Sequence, residues 1–347
     1  MAALLSIATA NPIHELTQSM VVEEMRSLFS ERFPGFNRMA QVFDTAGVKR
    51  RQFAMPLEWY RQQRGWPERS EVYNKAATQL FIKAARSALT MAGLAPQDID
   101  IIVAVSSTGI ATPTLEARAA AAMGFRPDVQ RVPVFGLGCA GGVSGLAVAS
   151  RLARAQPGAN VLFVTVELCS MAFRLDHLTK ANMIACALFG DGAAACVVRE
   201  GGAGIAEIGA GAEYMWPDTL DIMGWAVDDV GLGVILNRSI PEFAGANLRH
   251  GIGHLASKMG VEAGSVDRFI CHPGGAKVIA AIEHAMETGE GALDCERAVL
   301  ADHGNMSAPT ALYVLKRVLE RGAPDLSVLL ALGPGFTLSA LELRKAA

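Results

Sequence analysis

Positive charge is in short supply in this chain: 31 lysines and arginines face 34 aspartates and glutamates, a formal net charge of −3. A nucleic-acid footprint needs clustered Lys and Arg, so that class of partner is set aside. The one basic run, Lys49-Arg50-Arg51, is short and reads as a solvated surface run, with a contact to a phosphorylated carrier as the lesser alternative. No apolar stretch free of polar or turn residues reaches the roughly twenty residues of a membrane span. The apolar start, residues 1–10, has no basic segment before it and reads as a first buried strand rather than a signal peptide. None of the six cysteines (Cys139, Cys169, Cys186, Cys196, Cys271, Cys295) forms a C-x-x-C pair. Neither a disulfide frame nor a metal site is therefore expected, and buried free thiols of a reducing cytoplasm fit better. Linkers and low-complexity tracts are missing as well.

What remains is apolar. Hydrophobic residues make up 51% of 347 and charged residues 19%, the balance of a compact chain with enough length for two core-bearing units or one body of two halves. Apolar spacing predicts a helix over 71–92 with Gly93 as its C-cap, then a buried strand over 98–106. Residues 143–155 read as a helix and 161–166 as a buried strand. The second half repeats the order: a strand over 266–271, a helix over 276–286, a helix over 308–321 and a strand over 327–332. This alternation predicts an α/β fold built of βαβ units. The interval from Ser106 to Cys139 equals that from His272 to Asn305, a sign of internal duplication. The halves divide within residues 201–211, giving units of 1–205 and 206–347.

Three short segments carry the chemistry: Gly-Cys-Ala-Gly-Gly at 138–142, Cys-His-Pro-Gly-Gly at 271–275 and Gly-Asn-Met-Ser at 304–307. Each sets one reactive or hydrogen-bonding side chain beside glycines, where backbone can approach a substrate closely. Cys139 opens a helical pattern, where the dipole and free amides are expected to draw the thiol toward thiolate. A small buried hydrophobe is the bland alternative, and the glycine setting argues against it. His272, at a strand end, is placed to pair with that thiolate and later to donate to an enolate oxygen. His303 is its rival on spacing alone. Asn305 is either a turn residue or an uncharged donor. In the second role it supports the enolate left when a malonyl thioester loses CO2, where a carboxylate would oppose it.

These segments, with Leu-Phe-Gly-Asp-Gly-Ala at 188–193 and Gly-Pro-Gly-Phe-Thr at 333–337, resemble the type III polyketide synthases, the chalcone and stilbene synthase family. The likeness runs over nearly the whole chain, residues 11–343. It implies a thiolase-like fold of two duplicated halves in an αβαβα layering, a homodimer, and no cofactor beyond the coenzyme A carrier. It also implies that Cys139 takes the starter acyl group, while His272 and Asn305 promote malonyl-CoA decarboxylation. By the same likeness Phe189 is a gatekeeper between the CoA tunnel and the cavity, and Trp225 matches a second gatekeeper. Residues Gly333, Pro334, Gly335 and Phe336 belong to a loop that shapes the cyclisation pocket.

Departures from the family pattern bear on substrate. Thr108, Thr112 and Cys169 fall where the family lines its cavity, and Thr112 and Cys169 stand where the plant enzymes usually have Met and Thr. The exchange predicts added, less polar space beside the nucleophile, a tunnel for a long aliphatic starter, and alkylpyrone or alkylresorcinol products. Of the family's CoA-binding cations only Arg38 has a counterpart, with Gln41 and Thr45 at the other positions. Lys277, Lys49 or Arg50 is the expected substitute, beside the close backbone approach at Gly274 and Gly275. An acyl carrier protein is the alternative starter donor. The nearest rival class is an initiating ketoacyl-acyl-carrier-protein synthase, which stops after one condensation. A hydroxymethylglutaryl-CoA synthase lacks its third catalytic glutamate here, and a non-enzymatic scaffold is at odds with an intact Cys, His and Asn.

Overall fold

The computed structural model describes residues 1–30, 35–176 and 179–346. The first half runs β1 (Ala2–Ala10), β2 (His14–Thr17), α1 (Gln18–Phe29), α2 (Phe36–Thr45), β3 (Arg50–Phe53), α3 (Trp66–Ala92) and β4 (Ile101–Val105). It continues with α4 (Leu115–Met123), β5 (Gln130–Val134), α5 (Gly141–Ala155), β6 (Asn160–Leu168), α6 (Lys180–Leu188) and β7 (Asp191–Glu200). The second half opens with β8 (Ala206–Met215), β9 (Met223–Asp228), β10 (Gly231–Leu236), α7 (Ile240–Met259), β11 (Arg268–Cys271) and α8 (Ala276–Ala285). It closes with α9 (Asp294–His303), α10 (Ala308–Arg321), β12 (Leu326–Gly333) and β13 (Thr337–Arg344).

Nine strands form one sheet in the order β11-β12-β13-β8-β1-β7-β6-β4-β5, which is two half-sheets joined at a narrow seam. In each half the opening strand (β1 or β8) lies antiparallel to the closing strand (β7 or β13). That closing strand lies antiparallel to β6 or β12, which in turn runs parallel to β4 or β11. The duplication inferred from equal intervals is thus a repeat of strand order and sense. At the seam only Ala2, Ala3 and Leu4 of β1 pair, with Ile208, Glu207 and Ala206 of β8.

Helices α5 and α10 contact each other and strands of both half-sheets, so they form the middle layer, with α3 outside one sheet and α7 outside the other. The middle layer is apolar: its core joins Val143, Leu146 and Ala149 of α5 to Ala308, Leu312 and Leu315 of α10. Small residues permit that approach, since a Cβ on Gly142 would lie 2.2 Å from the Ala308 carbonyl oxygen. The helix read over 71–92 begins earlier, at Trp66, and ends as expected with Gly93 left-handed at φ 67°.

Candidate active site

The ends of the two middle helices meet at one cavity. Cys139 sits in the 3-10 turn Gly138–Ala140 that leads into α5. His272 directly follows β11, held by its backbone N–H on the Leu330 carbonyl at 2.8 Å. Asn305 lies between α9 and α10. All three line the same cavity, together with Ser107, Ser307 and a largely apolar wall from β10, α7, α8 and β12. Among the glycines, Gly138 is left-handed at φ 49° and packs under Pro334, so only glycine suits the turn that presents the thiol.

The orientation of Asn305 follows from its bonds. The Ser307 backbone N–H donates to Asn305 Oδ1 at 2.8 Å, and Asn305 Nδ2 donates to the Gly274 carbonyl at 3.2 Å. One amide proton is left for the cavity. The Asn305 backbone is fixed as well: its N–H donates to Leu188 O at 2.8 Å and its carbonyl accepts from Gly190 N–H at 3.0 Å. His272 is buried, and among the described residues neither ring nitrogen has a hydrogen-bond partner. His303 is elsewhere: its Nδ1 meets Gln52 Oε1 at 3.0 Å and its ring packs on Tyr313.

Burial opposes the thiolate expected at Cys139. Burial pushes the Cys139 thiol up to about 11, outweighing hydrogen bonds from Ser307 and Asn305 that pull the other way. Burial also takes His272 down to about 4. Desolvation opposes both charges, and one helix terminus does not offset it. Burial thus works against a charge on either side chain.

Other expectations are sorted by position. Phe189 and Cys169 line the cavity and also a second apolar cavity behind it, built on α1, α6 and residues 53–60. Val234, which the sequence did not single out, joins them in that shared wall. Trp225 pairs across the β9–β10 hairpin from Val234 and donates Nε1–H to Ser107 O at 2.8 Å. Both Trp225 and Ser107 line the main cavity. Thr108 does not line the cavity: its hydroxyl donates to Glu167 Oε2 at 2.7 Å and accepts from Leu168 N–H at 2.8 Å. Thr112 is exposed beside a cis Thr112-Pro113 bond and does not line it either. Of residues 333–336, Pro334 alone faces the cavity; Phe336 is buried against Trp216 and Phe243 instead.

A third space opens outward past Leu188, Leu236, Ile240 and Val278, residues it shares with the main cavity. Gly274, Gly275 and Lys277 line this mouth, and so does Arg238, a cation the sequence reading missed. Arg38 is exposed on α2, one helical turn before Val42, which lines the mouth. Arg50 pairs with Asp302. Arg51, read as part of a surface run, is fully buried.

Sequence reasoning also missed Glu167, a fully buried carboxylate whose two oxygens both accept from Ser107 N–H at 3.0 Å. Its signal was a lone carboxylate inside the apolar run Val-Thr-Val-Glu-Leu. Burial pushes it up to about 8.

The profile of chalcone and stilbene synthases, N-terminal domain, matches residues 1–202, and that of the C-terminal domain matches residues 207–347. The chain belongs to the chalcone and stilbene synthase family. A 1,3,6,8-tetrahydroxynaphthalene synthase of Streptomyces peucetius subsp. caesius is 38% identical over 98% of this chain and 92% of its own length. A putative chalcone synthase of Bacillus subtilis is 33% identical over 97% of both. The crystal structure of the 1,3,6,8-tetrahydroxynaphthalene synthase of Streptomyces coelicolor, a bacterial type III polyketide synthase, superposes with a TM-score of 0.93 at 28% identity, covering 99% of each chain. The thiolase-like fold and the malonyl-CoA-dependent acyltransferase activity of a type III polyketide synthase follow from these matches. Among the described residues no helix is long and apolar enough to cross a membrane.

Proposed function

We propose that this type III polyketide synthase loads a long-chain aliphatic acyl group on Cys139, extends it with malonyl-CoA and releases an alkylpyrone or alkylresorcinol. The observation that carries the starter class is the second apolar cavity, which shares Cys169, Phe189 and Val234 with the main one and is lined by Val21, Met25, Leu28 and Phe173. A tail threaded past Cys169 gains at most about 0.8 kcal/mol per buried methylene, so depth rather than affinity sets length.

Each chemical step is assigned to a residue that lines the cavity. Cys139 gives its proton to His272 as its sulfur attacks the starter thioester; the CoA thiolate leaves and takes the proton back. Malonyl-CoA then loses CO2, and its electron pair moves onto the thioester oxygen as an enolate. The imidazole N–H of His272 and the free amide proton of Asn305 stabilise that charge. The enolate carbon attacks the Cys139 thioester, the C–S bond breaks and the extended chain leaves on CoA, ready to return to Cys139. Pairing the two charges within one apolar site compensates in part for the burial that opposes each charge alone.

No cofactor beyond coenzyme A is proposed; Arg238 and Lys277, which line the mouth, are the cations offered to its phosphates, with the exposed Arg38 one helical turn from Val42. An acyl carrier protein remains the alternative starter donor. A homodimer is supported by β5, an edge strand paired only with β4 among the described residues, and by the exposed Ile110 and Phe135 near it. A cytoplasmic site is supported by six unpaired thiols. A second product reading, a tetrahydroxynaphthalene, rests on the 38% identity to the Streptomyces peucetius enzyme.

Mass spectrometry of products from malonyl-CoA with short, long and aromatic acyl-CoAs tests the proposal. Cyclic products from a long-chain starter support it; products from short starters alone sink the long-chain reading. A fused-ring tetraol from malonyl-CoA without any acyl-CoA favours the second reading. A linear, once-extended thioester moves the assignment to an initiating synthase.

A further inference from the structure

Residues 186–189 form a partition. Cys186 and Phe189 face the second cavity, Leu188 and Phe189 the main one, and Leu188 also the mouth. The segment is the last turn of α6, where helix carbonyls run out of amide partners and the dipole is negative. Arg51 of β3 answers that need. It donates to the carbonyls of Cys186 at 2.7 Å, Ala187 at 2.8 Å and Phe189 at 3.0 Å, and to Gln18 Oε1.

None of those acceptors is a carboxylate, and the guanidinium is fully buried. A charge in that position is expensive, so a neutral residue would serve simple packing better. Gln18 extends the arrangement: its Nε2 donates to Phe43 O of α2 at 3.0 Å and to Ala187 O at 3.1 Å. The same α2 supplies Val42 and Thr45 to the mouth. On the far side Asn305 grips the segment through Leu188 O and Gly190 N–H. There is no slack, since a Cβ on Gly190 would lie 2.3 Å from His303 O and 3.3 Å from the Arg51 Cβ.

We propose that Arg51 is a positioning residue that, by holding the carbonyls of residues 186–189, sets the wall shared by the three spaces and thereby the length of acyl starter accepted. Its fork spans three carbonyls at fixed angles, which a lysine ammonium cannot reproduce. The inference rests on the proposed acyl-thioester chemistry at this site but not on a long chain being the natural starter.

The test uses the full-length enzyme, with Arg51→Lys, Arg51→Met and Gln18→Ala compared with wild type. kcat/KM is measured for a series of aliphatic acyl-CoAs with malonyl-CoA, alongside thermal melts. The expected result in a folded variant is a shift of the long-to-short kcat/KM ratio by at least about tenfold, the low end of what the fit of one methylene is worth. A uniform loss of rate with the wild-type ratio, in Arg51→Lys or Arg51→Met, overturns it. Should both Arg51 variants fail to fold, an unchanged ratio in Gln18→Ala overturns it instead. Wild-type enzyme that extends only short starters would sink the long-chain proposal, while the ratio in the variants would still decide the role of Arg51.

Discussion

Cys139, His272 and Asn305 line one cavity, and the role proposed for each has a measurable consequence. With one of the two enolate donors gone, Asn305→Ala should lower the condensation rate by about 100- to 1000-fold. Cys139→Ala should abolish extension yet still release CO2 from malonyl-CoA, because His272 and Asn305 remain; radiolabelled CO2 release separates the two. Glu167 makes a pH prediction. Its pKa rises from 4.5 in the unfolded chain to about 8 when folded, so the folded state holds the extra proton between those values. Stability therefore falls as pH rises from about 4.5 through about 8. Glu167→Gln should flatten that slope in denaturant titrations between pH values of about 4.5 and about 8. The three residues that meet in the cavity were legible in the sequence because each stands beside glycines that allow close backbone approach. Thr112, Phe336 and Arg51 were misread for one reason: sequence shows which turn a side chain belongs to, not which way that turn faces. Arg51 looked solvated beside Lys49 and Arg50, yet β3 is exposed at Arg50 alone and buried from Arg51 to Phe53.

At the scale of elements, the register between α5 and α10 sets the distance between nucleophile and enolate donors, since Cys139 precedes one helix and Asn305 the other. The two approach closely at Gly142, where a Cβ would lie 2.2 Å from the Ala308 carbonyl oxygen. Gly142→Ala would place a methyl against the Ala308 carbonyl and force the helices apart, at a cost of about 1–3 kcal/mol. The condensation rate should drop further than the decarboxylation rate, because decarboxylation does not need Cys139. Equal losses in both would show that α10 had not moved relative to α5. The regular elements were readable because buried strands and amphipathic helices carry their own periods. The β9–β10 hairpin was not: its burial pattern follows neither period, as one face covers the cavity and its tip is exposed. Val234, the residue in the shared wall, was lost with it.

For the whole molecule, the order of strands in the two halves explains why the cavity lies where it does. Equivalent strand ends and helix starts converge on the middle layer, and the narrow β1–β8 seam lets each half keep its own sheet. The first half ends differently, in the additional edge strand β5. Its far end continues through Phe135 and Gly136 into the turn that carries Cys139. An exposed edge next to large apolar side chains invites pairing with another chain, and Ile110 and Phe135 are each more than half exposed, at 55% and 56%. A second copy docked there would brace the Cys139 turn from outside, coupling assembly to catalysis. Phe135→Glu should then convert the sedimenting species from dimer to monomer and lower the condensation rate, with the thermal unfolding of the subunit still cooperative. A dimer that survives the substitution would move the interface away from β5, and a wild-type monomer would remove the coupling altogether.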